Sequence, residues 1–363
     1  MYTSNSTLAD IAERLRTSRS VLVLTHLKPD GDAIGSSIAI VRALNLTSPK
    51  GLPPRARAWY AGPFPPWQSD LVKSTPHLLI DPVQGPDRNA DFESVVVIDT
   101  GSWTQLEPFA AFLRGRSAET VIVDHHRQGD AEIADTRYID PNAAAVCQPA
   151  AELCRMILGL DSITQLPVEV ATPLYLGICT DTGWFRHSNV SGAVLHTAAD
   201  LHSAGVNHAA LYQLIEQRDT LGRQKLLARA LESLTLESSG RIGVMQLNKA
   251  DFAAAKAEPG ESGGFIDFAT FIPSVRVSVL LTEASDWQSA SEGGDLSAAK
   301  RKVVTKISMR SKEGANAVDV NAVAKEFGGG GHTRAAGARL DAPLDETRRR
   351  LLELIRLHLD GTK

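Results

Sequence analysis

Three groups of ionisable residues stand directly after short apolar runs in this 363-residue chain. VLVLTH ends in His26, with Asp30 and Asp32 close behind; SVVVID ends in Asp99; TVIVDHH ends in Asp124, His125 and His126. A further carboxylate, Asp181, closes the run LYLGICTD. Singly, each has a plain reading. Asp30 and Asp32 suit a turn, Asp99 suits a helix N-cap, and adjacent histidines are commonly solvated. Their coincidence at the ends of three apolar runs points elsewhere. Four carboxylates and two imidazoles crowded together repel, and some would stay protonated unless cations intervene. An Asp/His set without thiolate suits Mn²⁺, suits Zn²⁺ or Fe²⁺ less, and is richer in nitrogen than Mg²⁺ usually takes. Six side chains (His26, Asp30, Asp32, Asp99, His125, Asp181) exceed the needs of one ion. A pair of divalent ions about 3.5–4 Å apart, bridged by a carboxylate, is therefore expected. Such a pair activates water and neutralises phosphate charge, which makes phosphoester hydrolysis the matching chemistry.

The elements that position these residues are legible in part. Runs 21–26, 94–99 and 120–125 are unbroken and apolar, as strands buried on both faces are. They alternate with helical periods, which predicts an α/β fold with a parallel sheet and helices on both faces. Ligands then collect beyond the carboxyl ends of the strands. Helices are expected over 7–17, over AIGSSIAIVRALN, and over 144–158 and 167–179, the last running into the polar loop TDTGWFRHSN. The intervening KPDGDAIGSS reads as a turn, with Pro29 holding Lys28 extended and Gly31 supplying unusual dihedrals. RARAWY (55–60) is another expected strand, and 191–233 reads as helical. Beyond it RIGVMQL, VRVSVLL and VTKISMR alternate like strands, before an amphipathic C-terminal helix, LDETRRRLLELIRLHL. The expected division is a catalytic domain over 1–205, a helical linker over 206–228, and a smaller α/β domain over 229–363. The polar, Gly/Ser-rich stretch 283–300 is expected to be a long hairpin loop or insertion.

Composition narrows the partners. The chain is 43% hydrophobic and 22% charged, with a formal net charge of -4. That excludes a disordered chain and argues against a broad duplex-binding footprint, so any nucleic-acid substrate should be short. Cys147, Cys154 and Cys179 form no zinc-type pair and fit a reducing cytoplasm. Neither a signal peptide nor a membrane span is recognisable.

HLKPDGDAIGS (26–36), VID (97–99), VDHH (123–126) and TDTGWFRHSN (180–189) resemble the signatures of the DHH phosphoesterases. FGGGGHTRAAG (327–337), preceded by ISMRSK (307–312) and DVNAVAKEF (319–327), looks like a DHHA1 domain, which implies a mixed sheet in the smaller α/β domain. The resemblance covers nearly the whole chain and is greatest to the nanoRNase type, which degrades very short oligonucleotides and dephosphorylates adenosine 3′,5′-bisphosphate (pAp). It implies one ion on His26, Asp30 and Asp99 and another on Asp32, Asp99, His125 and Asp181, with Asp99 bridging. Asp99, Asp124 and His126 become the catalytic residues: Asp124 orients a histidine ring, and His126 faces the substrate phosphate, where it stabilises charge or protonates the leaving group. Arg310, Gly328, Gly329, Gly330, Gly331 and His332 would grip a substrate phosphate, the glycines through unhindered N–H groups. Arg186 and His187 are further, weaker candidates. Phosphates held between two domains would restrict substrates to short ones, and the family makes a homodimer reasonable. Alternatives are a cyclic or linear dinucleotide phosphodiesterase, a RecJ-type single-strand exonuclease, an inorganic pyrophosphatase and, outside enzymes, a nucleotide-sensing module.

Overall fold

The computed structural model describes residues 1–49, 51–62, 64, 66–284, 303–314 and 317–361. The chain divides into two compact units, Met1–Gln217 and Arg218–Lys363.

The first unit is built on strands β1 (Val21–Leu24), β2 (Ala56–Ala61), β3 (His77–Ile80), β4 (Ser94–Ile98), β5 (Thr120–Asp124) and β6 (Thr136–Ile139). Their order is β3-β2-β1-β4-β5-β6, and every neighbouring pair is parallel. Alternate side chains feed two cores, as the two-residue period of a strand demands. Val21, Val23, Val96, Ile98, Val121 and Val123 pack with the helices Gly31–Leu46, Cys147–Leu158 and Val168–Asp181. Leu22, Leu24, Val95, Val97 and Ile122 face Phe109 and Phe112 on the opposite side. Burial on both faces explains why these runs carry no polar alternation. The strand order reverses direction between β1 and β4, and this switch point is where open α/β sheets leave a crevice beyond the strand ends.

Several local expectations are corrected. Lys28 is not extended but left-handed, with φ 56°. The chain must fold back sharply here, because Asp30 returns to within 3.9 Å of His26. Gly31 shows no positive φ; it opens the helix Gly31–Leu46, where any Cβ would collide with Thr180. Its value is close approach rather than unusual dihedrals. The 191–233 run is three helices, Gly192–Ser203, His208–Glu216 and Leu221–Glu232. Gly205 at φ 103° breaks the first junction, and Asn207 and Thr220 cap the two helices that follow. β3 and β6 were not expected. Each is an edge strand whose side chains are largely exposed or half-buried, so neither carries an apolar signature. The open edge of β6 is covered by the N-terminal segment: Asn5 and Ser6 N–H groups donate to the Arg137 carbonyl at 3.0 and 3.2 Å.

The second unit holds β7 (Thr235–Glu237), β8 (Ile242–Leu247), β9 (Val277–Ala284), β10 (Val304–Ser311), β11 (Gly330–His332) and β12 (Ala335–Leu340). The sheet runs β11-β12-β10-β9-β8-β7 and is mixed, with β8 and β9 parallel and the other pairs antiparallel. Leu351, Leu352 and Ile355 of the C-terminal helix Leu344–Leu359 pack on one face of it. Of the predicted 283–300 loop, residues 285–300 lie outside the described residues.

Candidate metal centre

His26 follows β1, Asp99 follows β4, and Asp124 ends β5 with His125 and His126 next in line. The three adjacent strand ends thus deliver their groups to the crevice at the switch point. Asp30 and Asp32 enter from the start of the helix Gly31–Leu46, and Asp181 from the last residue of Val168–Asp181. The ligand atoms fall into overlapping groups: His26, Asp30 and Asp99; Asp32, His125 and Asp181; and Asp99, His125 and His126, the atoms within each group lying within 4.8 Å of one another. Asp99 is common to two groups. Its carboxylate spans them, with Oδ2 3.6 Å from His26 Nε2 and Oδ1 3.3 Å from His125 Nε2.

Each side chain is aimed by a specific neighbour. Asp99 has φ 64°, a left-handed backbone that departs from the direction of β4. Aspartate tolerates that conformation better than most residues, and such outliers concentrate at functional sites. The two imidazoles are held by backbone carbonyls. His26 Nδ1 donates to the Leu27 oxygen at 3.0 Å and His125 Nδ1 to the Ala143 oxygen at 3.1 Å. A carbonyl only accepts, so Nδ1 carries the hydrogen in both rings and Nε2 is left to face the carboxylates. This is the arrangement that metal-ligating histidines adopt. Asp32 is fully buried, and the first N–H groups of the helix Cys147–Leu158 converge on it: Val146 N donates to Oδ2 at 2.5 Å and Cys147 N to Oδ1 at 3.0 Å. A helix N-terminus is a favourable place for an anion. Asp30 Oδ1 caps its own helix, accepting from Asp32 N and Ala33 N at 3.0 and 3.1 Å. Asn189 holds the Asp181 backbone by donating to its carbonyl at 3.1 Å.

Close helix packing completes the frame. At Gly35 a Cβ would strike the Pro173 carbonyl; at Gly177 it would lie 2.7 Å from Asp32 Oδ1 and against Cys147 Sγ. Glycine at these places lets Gly31–Leu46 and Val168–Asp181 approach until Asp32 and Asp181 share one wall.

The charges conflict as they stand. Burial, then the Asp99 charge, pushes Asp32 up to about 7, and burial with Asp32 and Asp30 pushes Asp181 up to about 9. Burial acts to lower both imidazoles, but Asp99 outweighs it, raising His26 to about 9 and, with Asp32, His125 to about 10. Asp99 Oδ1 is buried without a hydrogen-bond partner. A buried carboxylate with an unsatisfied oxygen and an imidazole aimed at each of its oxygens suits a cation, so the donor set fits metal binding.

Asp124 and His126 form a hydrogen-bonded pair beside these groups, with His126 also close to Asp99 and His125. Asp124 Oδ1 accepts from His126 Nδ1 at 2.7 Å and from His125 N at 2.7 Å, while His126 keeps 53% side-chain exposure. Asp124 therefore orients His126, and not the ring of His125, which the Ala143 carbonyl already holds. The orienting carbonyls and the Val146/Cys147 amides escaped the sequence reading, because backbone groups carry no residue signature. Of the remaining candidates of this unit, His187 belongs to none of the three groups, and Arg186 Nε donates to the Gly183 carbonyl at 2.6 Å.

In the second unit, strand alternation sets Lys306, Ser308 and Arg310 on one face of β10, opposite Arg339, Gly337 and Ala335 of β12. With Gly328, Gly329 and Gly330 they line an open cavity of about 590 Å³. Gly331 and His332 are not among its lining residues, and Lys306 and Arg339 are basic groups that the sequence did not single out.

Comparison with known proteins accords with this architecture. Residues 20–178 match the model of the DHH family, N-terminal domain, and residues 246–359 match the DHHA1 domain. A Thermus thermophilus protein named bifunctional oligoribonuclease and PAP phosphatase NrnA is 30% identical over 96% of this chain and 93% of its own length. The cyclic-di-AMP phosphodiesterase PdeA of Listeria monocytogenes is 23% identical over 97% of this chain but only 49% of its own. A crystal structure of an exopolyphosphatase-related protein from Bacteroides fragilis superposes with TM-score 0.79 at 20% identity, covering 98% of this chain and 95% of that one. Two sheets of this topology, an Asp/His cluster at the switch point and a relative of this identity along the whole length lead to one conclusion: the chain belongs to the DHH phosphoesterase family, with an N-terminal DHH domain and a DHHA1 domain.

Proposed function

We propose that this chain hydrolyses very short oligonucleotides and pAp, using two divalent cations, with Mn²⁺ the preferred ion. One cation is assigned to His26, Asp30 and Asp99, the other to Asp32, Asp99, His125 and Asp181. The observation that carries the reading is the convergence on Asp99, whose buried Oδ1 lacks any hydrogen bond while two imidazoles point Nε2 at its carboxylate. The name of the Thermus thermophilus relative supports the substrate class. Three cysteines without a disulfide suit a cytoplasmic setting.

When bound, the cations supply an activated water and neutralise the non-bridging phosphate oxygens. The rest falls to side chains. His26 and His125 hold fixed Nδ1 hydrogens, so their Nε2 lone pairs stay directed into the site. His126, fixed through Nδ1 by Asp124, offers Nε2 to a phosphate oxygen or to the departing sugar oxygen, where it stabilises charge or delivers a proton. In the second unit Arg310, Lys306 and the Gly328–Gly330 backbone form a cationic platform whose cavity is of nucleotide size. We assign it to a further phosphate of the substrate.

The test is direct. The chain loaded with Mn²⁺ is offered pAp, a linear diadenylate, a 24-nucleotide RNA and cyclic di-AMP in separate assays. The reading predicts turnover of the first two well above the others. Selective hydrolysis of cyclic di-AMP, or of the long RNA, would overturn it.

A further inference from the structure

The N-terminal segment reaches the catalytic layer through a side chain that no motif contains. Tyr2 is buried, and its hydroxyl donates to Asp124 Oδ2 at 2.5 Å. The other oxygen of the same carboxylate, Oδ1, accepts from His126 Nδ1 at 2.7 Å, from His125 N at 2.7 Å and from His126 N at 3.2 Å. Asp124 is fully buried, so no water replaces a lost donor at Oδ2. The ring of Tyr2 is seated by two glycines, since a Cβ at Gly101 or Gly129 would run into it. The backbone behind it is pinned to β6: Ser4 Oγ donates to the Ile139 carbonyl at 2.9 Å and accepts from Ile139 N at 2.8 Å.

We propose that Tyr2 is a positioning residue for His126, acting through Asp124 as a Tyr2–Asp124–His126 chain. Two oxygens held from opposite sides leave the carboxylate a single plane and a single rotamer. Oδ1 then presents its lone pair along the Nδ1–H direction of His126, and the ring is set with Nε2 toward the site. Without the phenol hydroxyl, Oδ2 becomes a buried oxygen lacking a donor, and the carboxylate gains by turning toward another donor. That turn disturbs the only side-chain hydrogen bond that orients His126 among the described residues. His26 and His125 are held by backbone carbonyls instead and should be untouched. The inference rests on the role given to His126 in the proposed function, and its test is chosen to fail separately.

The experiment compares Tyr2→Phe, His126→Gln and the double variant in the full chain loaded with Mn²⁺. Substrates are pAp and linear diadenylate. A buried hydrogen bond to a charged group is worth roughly tenfold or more. For Tyr2→Phe we expect a kcat about tenfold lower, with KM within about twofold. Bound manganese should be unchanged. In the His126→Gln background the same substitution should cost nothing further. A second readout needs no substrate and uses the full chain loaded with diamagnetic Mg²⁺: the imidazole Nδ1–H resonance of His126 should lose its downfield position in Tyr2→Phe, and those of His26 and His125 should stay. Wild-type kcat in Tyr2→Phe, an equal loss in both backgrounds, or an unmoved His126 resonance would each overturn the proposal. Absence of wild-type turnover on either substrate would instead refute the proposed function, and the resonance would still decide the Tyr2 chain.

Discussion

At the residue scale, the proposed function separates groups that hold cations from a group that acts on substrate. His126 lies near Asp99 and His125, but its Nδ1 is taken by Asp124 and its side chain is half exposed, which sets it apart from His26, Asp30, Asp32, Asp99, His125 and Asp181. His126→Ala should therefore lower kcat by about 10²–10⁴-fold, the range for a general acid or base, while bound metal stays at the wild-type level. Elemental analysis alongside steady-state kinetics checks both halves; loss of metal in this variant would move His126 into the ligand set. The ligand candidates were legible because ionisable residues directly after apolar runs stand out in any reading. What fixes them was not. The carbonyls of Leu27 and Ala143 and the amides of Val146 and Cys147 belong to residues whose side chains say nothing about the role. Tyr2 is hidden for another reason: it lies far from its partner along the chain, and an isolated tyrosine has no spacing to betray it.

At the level of elements, β1, β4 and β5 were visible because burial on both faces leaves an unbroken apolar string. β3 and β6 lie at the sheet edges, and their half-exposed side chains lack that string. The packing of Gly31–Leu46 on Val168–Asp181 is a tertiary fact that no local pattern encodes, although Gly31, Gly35 and Gly177 are its trace in the sequence. Gly35→Ala should push these helices apart, since its Cβ would meet the backbone carbonyl of Pro173 and backbone cannot rotate away. We expect a loss of about 1–3 kcal/mol in folding stability, the usual penalty for overpacking, together with weaker metal binding as Asp32 and Asp181 separate. Urea denaturation with and without Mn²⁺ measures both. An unchanged midpoint would show that the close approach carries no weight.

Across the whole molecule, the assignment of cations to the first unit makes their effect local. An ion that binds the folded state alone adds about 2.7 kcal/mol of stability at a concentration of 100 times its Kd. Chelation should then lower the calorimetric transition of Met1–Gln217 and leave that of Arg218–Lys363 in place, because the assigned ligands all lie in the first unit. A shift of both transitions together would contradict that locality. The proposed function gives the second unit a part in binding substrate. Arg310→Ala removes a bidentate donor from the cationic platform and should raise KM for pAp about tenfold with little change in kcat, as loss of one charge-assisted contact does. The two-unit division was foreseeable from the change of texture after the helical stretch near 221–232, where strand-like alternation replaces helical periods. The mixed order of the second sheet was expected only from the family resemblance, because its parallel β8–β9 pair is joined by helices too short to announce a crossover.

The central claim is that residues distant in sequence meet at the switch point of a parallel sheet and jointly hold two divalent ions through Asp99. Metal content after equilibration with Mn²⁺ and exhaustive dialysis, measured for the wild-type chain and for Asp99→Ala, tests it most directly. The account predicts about two ions per wild-type chain, as a two-metal site requires, and loss of most of both in the variant. A wild-type chain that retains one ion or none, or an Asp99→Ala chain that keeps both, would contradict it.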